Sequence, residues 1–222
     1  MRKTKLVIAA ALVVFLAQSA AANPFTRLWV FGDSTVDTGW YETTPFSGDP
    51  NFDAYLAPTK PHGKTGAEKW GIGRPTSSPG PMSVGVLGYI IGVTARPHNQ
   101  LGTNYATSGA RNQEVNAAGS GFFPNAIPTQ RQVNHYLGEH YPTGLALYVV
   151  SSGGNDIAAA LNANGDSCTT TAQTDVQAAA TSLANTIKTL QDNNAKYIIV
   201  ANQPESFGSV EMSPKSFNPD AT

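Results

Sequence analysis

An amphipathic helix between two short apolar runs constrains the fold of this chain more than any other feature. Apolar residues recur every three to four positions over 174–191, which is typical of a helix with one buried face. The run LALYVV at 145–150 precedes this helix, and the run YIIVA at 197–201 follows it. Strands that alternate with helices form βαβ units, because parallel strands need a long crossover between them. The pattern therefore predicts an α/β protein with a parallel sheet.

The remaining periodic segments agree with this class. They predict a buried strand at 27–31, a helix at 81–92, a short strand at 102–106 and a helix at 128–140. Thr174 is predicted to be the N-cap of the long helix, and Asn193-Asn194 its end. The chain has 222 residues, which is enough for one domain with a sizeable core.

The N-terminus has the pattern of a secretory signal peptide. Three cations precede an apolar run over 6–17, and small residues follow at 20–22. A membrane span needs about 20 apolar residues, so this run is too short to be one. A short buried helix is the alternative interpretation. We expect a signal peptide at 1–22, a single domain at 23–222, no transmembrane segment and a secreted or periplasmic protein.

Composition excludes several classes of protein. Charged residues make up 13% of the chain and the formal net charge is −1, so no nucleic-acid-binding surface is indicated. The spacing of histidines, cysteines and acids predicts no metal site, and no phosphate loop or cofactor motif is present. Cys168 is the one cysteine, which leaves two interpretations: a loop thiol, or a thiol whose partner lies in sequence that this chain lacks. The sequence does not predict the oligomeric state.

Polar residues cluster at the carboxyl ends of three predicted strands. These segments are Gly-Asp-Ser at 32–34, 104–109 and 153–156. The carboxyl ends of parallel strands lie at one edge of the sheet, so the three segments are expected to converge there. Ser34 is a candidate nucleophile, but its hydroxyl needs a base to accept its proton.

The same segments can supply donors to an oxyanion. The backbone N–H groups of Ser34 and Gly109 and the side-chain amide of Asn155 would stabilise a tetrahedral intermediate of acyl transfer. Glycine suits a position at which the backbone must approach a ligand. The sequence contains no G-x-S-x-G, so the nucleophile elbow of α/β hydrolases is excluded as the motif.

FGDSTVDTG at 31–39, NYATSGA at 104–110 and GGND at 153–156 together resemble the blocks of the GDSL/SGNH hydrolases. The resemblance covers about residues 27–208. It implies a flavodoxin-like three-layer α/β/α sandwich and hydrolysis of a small-molecule or lipid ester. Carried over block by block, it implies Ser34 as the nucleophile, with Gly109 and Asn155 as oxyanion donors.

One block of that family is missing. The family carries D-x-x-H near its C-terminus, which supplies the base, and none of the four histidines here follows an aspartate by three positions: His62, His98, His135 and His140. These are predicted to be surface or packing residues. We expect a chain truncated before its last strand and helix. Two alternatives to an active hydrolase stay open: an inactive truncated relative, or a binding module that keeps the ester pocket.

Other polar and aromatic residues near these blocks are expected to support the site. Asp33 is predicted to satisfy backbone N–H groups, Asp37 to hold the turn after Ser34, and Asp156 to hold the asparagine loop. The aromatic residues of 40–70 are possible lining for an acyl pocket, and Arg74 is equally a structural residue or a substrate contact.

Overall fold

The structure is a computed structural model, and it describes residues 23–40, 82–113, 126–165 and 167–201. Its centre is a parallel sheet whose strands are β1 (Arg27–Gly32), β2 (Ala146–Ser151) and β3 (Tyr197–Val200). The strands lie side by side in the order β1-β2-β3. The three apolar runs that predicted strands therefore form strands, and the prediction of a parallel sheet is confirmed.

A further extended segment lies along the free edge of β1. The Val30 N–H donates to the Thr103 carbonyl at 3.1 Å, and the Tyr105 N–H donates to the Val30 carbonyl at 2.8 Å. The strand predicted at 102–106 is reduced to a parallel bridge between Asn104 and Val30. This contact brings the second sequence block beside the first.

Four helices flank the sheet in the described residues. They are α1 (Ser83–Ile90), α2 (Thr129–Glu139), α3 (Gly154–Asn162) and α4 (Thr170–Asp192), with a short 3-10 turn at His98–Gln100. The helices predicted at 81–92, 128–140 and 174–191 are confirmed as α1, α2 and α4. α3 was not predicted, because its glycine-rich start is typical of a loop.

Both faces of the sheet are covered at β1 and β2, because side chains alternate along each strand. Trp29 and Phe31 of β1 pack with residues of α2 and α4, including Tyr136 and Leu190. The opposite face of β1 packs beneath α1 in a second cluster, which includes Leu28, Val30 and Val84. The predicted three-layer α/β/α arrangement is therefore confirmed.

The predicted N-cap of the long helix was wrong. α4 begins one turn earlier, where the Thr169 hydroxyl oxygen accepts a hydrogen bond from the Ala172 N–H at 3.1 Å. Thr174 lies inside the helix and donates its hydroxyl to the Thr170 carbonyl at 2.9 Å. Threonine is accommodated at both positions, but only a side chain at the first can satisfy a free N–H of the first turn. The predicted end is confirmed, since Asn193 is the C-cap and Asn194 has a positive φ of 77°.

β3 forms the far edge of the described sheet, and part of its apolar surface faces solvent. Tyr197, Ile199 and Val200 are 51%, 45% and 42% exposed. The predicted signal peptide, the aromatic residues of 41–70, His62 and Arg74 lie outside the described residues, and so does the chain after 201. Within the described part, no helix combines the length and the hydropathy that crossing a membrane requires.

Candidate active site

β1 ends at a glycine that no other residue could replace without displacing the backbone. Gly32 has a φ of 142°, and a Cβ built on it would lie 1.8 Å from the Ser151 carbonyl oxygen of the neighbouring strand. The Asp33 N–H donates to that same carbonyl at 3.0 Å. The chain therefore leaves the sheet in close contact with β2, directly before Ser34.

Ser34 lies in a tight turn at the carboxyl end of β1. The Asp33 carbonyl accepts hydrogen bonds from the Val36 and Asp37 N–H groups at 3.2 and 3.0 Å, which closes the turn. Ser34 itself is partly exposed. Ser34 therefore lies at the edge of the sheet where the sequence predicts a nucleophile.

The buried Asp33 carboxylate braces this turn from inside. It accepts hydrogen bonds from the Thr35 N–H at 2.9 Å and the Thr35 hydroxyl at 2.7 Å. Burial raises the pKa of Asp33, while hydrogen bonds from Thr35 and from the backbone of Gly153 oppose the rise. Its predicted role of satisfying N–H groups beside Ser34 is confirmed.

Asp37 joins the Ser34 turn to the second block. One carboxylate oxygen accepts from the Gly39 and Trp40 N–H groups at 2.9 and 2.8 Å. The other accepts from the backbone N–H and the hydroxyl of Ser108, both at 2.8 Å. With four donors, the fully buried carboxylate holds the turn, as predicted, and also holds the residue before Gly109.

The third block is tied to the second through α3. The Asn155 side-chain amide donates to the Ala110 carbonyl at 3.0 Å. The Asp156 carboxylate accepts from the Asn112 N–H at 3.0 and 3.2 Å. Asp156 was predicted to hold its own asparagine loop; it instead holds the chain that follows Gly109. Its burial raises the pKa of Asp156 to about 6, and the Asn112 hydrogen bond opposes that rise.

These contacts bring the three predicted blocks together at one end of the sheet. Gly109 is buried and has a φ of 81°, a conformation that favours glycine. Asn155 lies in the first turn of α3, where the helix dipole favours a developing negative charge. Its amide has two N–H groups, so one can bind Ala110 while the other serves an oxyanion.

Comparison with known protein families identifies the family of this chain. The GDSL-like lipase/acylhydrolase family model matches residues 28–221. The chain belongs to the GDSL-like lipase/acylhydrolase family. No curated protein matches the sequence closely enough to count as a relative. The match extends over all three blocks, and it supports an ester-cleaving hydrolase in broad terms.

The GDSL-like site also depends on a residue that the sequence analysis missed. The Gln132 side chain accepts from the Gly32 N–H at 2.7 Å and donates to the Gly32 carbonyl at 2.9 Å. It also donates to the Ile127 carbonyl at 2.7 Å. Gln132 is 1% exposed, so this polar group is buried and fully engaged at the end of β1. The available signal was its helical spacing: Gln132 lies four residues before Tyr136, on the apolar face of the predicted helix.

The three histidines of the described residues, His98, His135 and His140, lie near the other end of α2 in this GDSL-like domain. α2 starts beside Gly32, where Gln132 binds, and His140 lies about 12 Å further along the helix axis at 1.5 Å per residue. There the His140 ring packs at a tilt against Trp29, with ring centroids 4.6 Å apart. His98 and His135 both approach Glu139, at 3.4 and 3.2 Å.

These three histidines therefore have packing and ion-pair partners away from the Ser34 turn. Burial lowers the pKa of His98, although the Glu139 carboxylate opposes that shift. Among the described residues, no side chain forms a hydrogen bond with the Ser34 hydroxyl, so the structure does not place a base beside Ser34.

Proposed function

We propose that this protein is an exported carboxylic-ester hydrolase with Ser34 as its nucleophile. The Ser34 and Gly109 N–H groups and the Asn155 amide would bind the oxyanion. One observation carries the proposal: the loops that hold these residues are hydrogen-bonded to one another in pairs, through Asp37 to Ser108 and through Asn155 to Ala110. Such bracing is what a preorganised oxyanion site requires.

The chemistry would proceed in two steps. The Ser34 oxygen forms a bond to the ester carbonyl carbon while its proton passes to a base. The electrons of the carbonyl π bond move onto the carbonyl oxygen, which becomes the oxyanion. The intermediate then collapses, and the alkoxide leaves with a proton. Water hydrolyses the resulting acyl-enzyme and returns Ser34 to its free form. Small-molecule and lipid esters both fit this reaction.

A second candidate function is ester binding with little or no turnover. It is favoured by the absence of a D-x-x-H block from the 222 residues. Loss of the histidine base in a serine hydrolase can reduce kcat by about 10⁶, with about 10³–10⁴ over water retained through the oxyanion site and binding. If the 222 residues act without such a base, we expect only slow hydrolysis, and Ser34 would add to the rate only where an external base is supplied.

A chromogenic short-chain ester, assayed with free imidazole present as an external base, tests the nucleophile. Wild type, Ser34→Ala and Ser167→Ala are compared, the last as a matched control because Ser167 lies on the exposed loop between α3 and α4. We expect Ser34→Ala alone to lose the enzymatic rate. Equal rates in wild type and Ser34→Ala would rule out Ser34 as the nucleophile.

Two further measurements separate turnover from binding. Free imidazole supplies a base, so it should accelerate ester cleavage by wild type beyond its effect on Ser34→Ala. A fluorophosphonate should label Ser34, which mass spectrometry of the digested protein locates. If a non-hydrolysable ester analogue binds while neither rate nor labelling depends on Ser34, the binding module is the correct function.

Export is tested separately by N-terminal sequencing of the protein from the cell exterior or periplasm. Removal of 1–22 should leave Asn23 as the first residue. A cytosolic protein that retains Met1 would contradict export without bearing on the reaction.

A further inference from the structure

Three potential metal ligands meet at the end of α2 that lies away from Ser34. His135 and Glu139 are four residues apart on α2, so they share one face of the helix. The 3-10 turn at His98–Gln100 brings His98 against the same face. One nitrogen of each imidazole and one carboxylate oxygen of Glu139 all lie within 4.8 Å of one another.

Each imidazole nitrogen lies about as far from an oxygen of the Glu139 carboxylate as neighbouring ligands of a tetrahedral ion lie from each other, and the two nitrogens face different oxygens. His135 Nε2 lies 3.2 Å from Glu139 Oε1, and His98 Nε2 lies 3.4 Å from Glu139 Oε2. Ligands about 2.0–2.1 Å from a tetrahedral Zn²⁺ are about 3.3 Å apart. A direct hydrogen bond between imidazolium and carboxylate is shorter, about 2.7–2.9 Å.

We propose that His98, His135 and Glu139 form a binding site for a divalent transition-metal ion, with Zn²⁺ as the best match. Two imidazoles and one carboxylate are ligands that Zn²⁺ prefers, and the fourth position would be taken by water. This proposal departs from the sequence analysis, which predicted no metal site because the sequence separates His98 from the other two ligands by more than 35 positions.

A neighbouring side chain that would not itself contact the ion holds two of the ligands in place, as is common for metal ligands in proteins. The Tyr105 hydroxyl donates to Glu139 Oε2 at 2.8 Å. The His98 ring stacks on the Tyr105 ring with centroids 4.0 Å apart and planes within 15°. The site is therefore oriented before any ion binds.

The ligands also remain open to solvent on their outer side. The side chains of His98, His135 and Glu139 are 21%, 48% and 39% exposed. An ion could therefore enter without unfolding of the chain. Once bound, it would join the turn at 98–102 to the end of α2 and stabilise the folded state by linkage.

Titration of the full chain, prepared without a polyhistidine tag, with Co²⁺ and with Zn²⁺ in competition tests the proposal. Wild type should bind one Co²⁺ with visible absorption bands of a tetrahedral complex, and Zn²⁺ should displace it. His135→Gln and Glu139→Gln should each weaken binding by about tenfold or more. Both positions are exposed enough for these variants to fold, and circular dichroism of the metal-free proteins verifies this.

Asp192→Asn serves as the matched control, because it makes the same acid-to-amide change in the exposed pair of Asp192 with Lys188. It should leave the affinity unchanged, and Zn²⁺ should raise the Tm of wild type and of Asp192→Asn but not of His135→Gln. Absence of Co²⁺ and Zn²⁺ binding to wild type, or equal affinity in wild type and both ligand variants, would overturn the proposal.

Discussion

The Asp37 carboxylate accepts hydrogen bonds from both the backbone N–H and the hydroxyl of Ser108, each at 2.8 Å. These residues are 71 positions apart, and their contact links the turn that carries Ser34 to the loop that carries Gly109. Asp37 is fully buried, so its four hydrogen bonds replace the water that would otherwise solvate the charge.

Replacement of Asp37 by asparagine should destabilise the protein. The side-chain NH₂ would face donors that now bind a carboxylate oxygen, and we expect a loss of about 2–3 kcal/mol in the free energy of unfolding. Urea denaturation measures this loss. Ser108→Ala removes only the hydroxyl donor and should cost about 1 kcal/mol. If Asp37→Asn were as stable as wild type, the carboxylate would not be what holds the two loops.

Gly32→Ala should be far more damaging, because its new Cβ would lie 1.8 Å from the Ser151 carbonyl oxygen. Relief requires displacement of β1 from β2, and we expect a loss of at least about 3 kcal/mol. Gly138→Ala is the matched control: its Cβ would meet nothing within 4 Å in α2, and it should stabilise by about 0.5–1 kcal/mol. Soluble yield and urea midpoints measure both. Similar effects of the two variants would contradict the close contact between the strands.

Asp156 should make stability depend on pH. Its pKa is raised to about 6 in the folded protein, against about 3.9 in an unfolded chain. The folded state therefore holds more protons between pH 4 and 6, and this contribution to stability is full below about pH 4 and is lost as the pH rises through about 6. Asp156→Asn retains an oxygen for the Asn112 N–H and cannot ionise.

The measurement is the difference in free energy of unfolding between Asp156→Asn and wild type across pH 4–7. As the pH rises from 4 to 7, the variant should become more stable relative to wild type by on the order of 1–2 kcal/mol. This figure allows for solvent screening of a partly exposed group. Asp175→Asn, at an exposed position on α4, controls for the change in net charge. A difference that stays constant with pH would show that the Asp156 carboxyl titrates alike in both states.

The start of α4 can be tested with two threonines. Thr169→Ala removes the cap of the Ala172 N–H and should cost about 1 kcal/mol. Thr174→Ala lies inside the helix, where alanine is the better helix former, and should be neutral or stabilising by up to about 0.5 kcal/mol. Thermal denaturation of both variants distinguishes them. The reverse ranking would place the N-cap at Thr174, as the sequence analysis first predicted.

The local pattern of the sequence was enough to predict most of the fold. The strands at 27–31, 145–150 and 197–201 and the helix at 174–191 were predicted because burial imposes a regular spacing on apolar residues. α3 was missed, because Gly153 and Gly154 suggest a loop. The helix forms there because Gly153, with a φ of 129°, turns the chain and α3 then packs against α4.

The sequence by itself determined the parallel α/β class and the order of the three blocks, and it predicted Ser34, Gly109 and Asn155 as site residues, since these depend on spacing and local motifs. Only the tertiary structure decided which groups meet across the sheet. The Gln132 side chain binds the backbone of Gly32, 100 positions away in the sequence, and His98 lies 3.4 Å from Glu139. Such pairs depend on how helices pack on both faces of the sheet, and no local pattern of side chains specifies that packing.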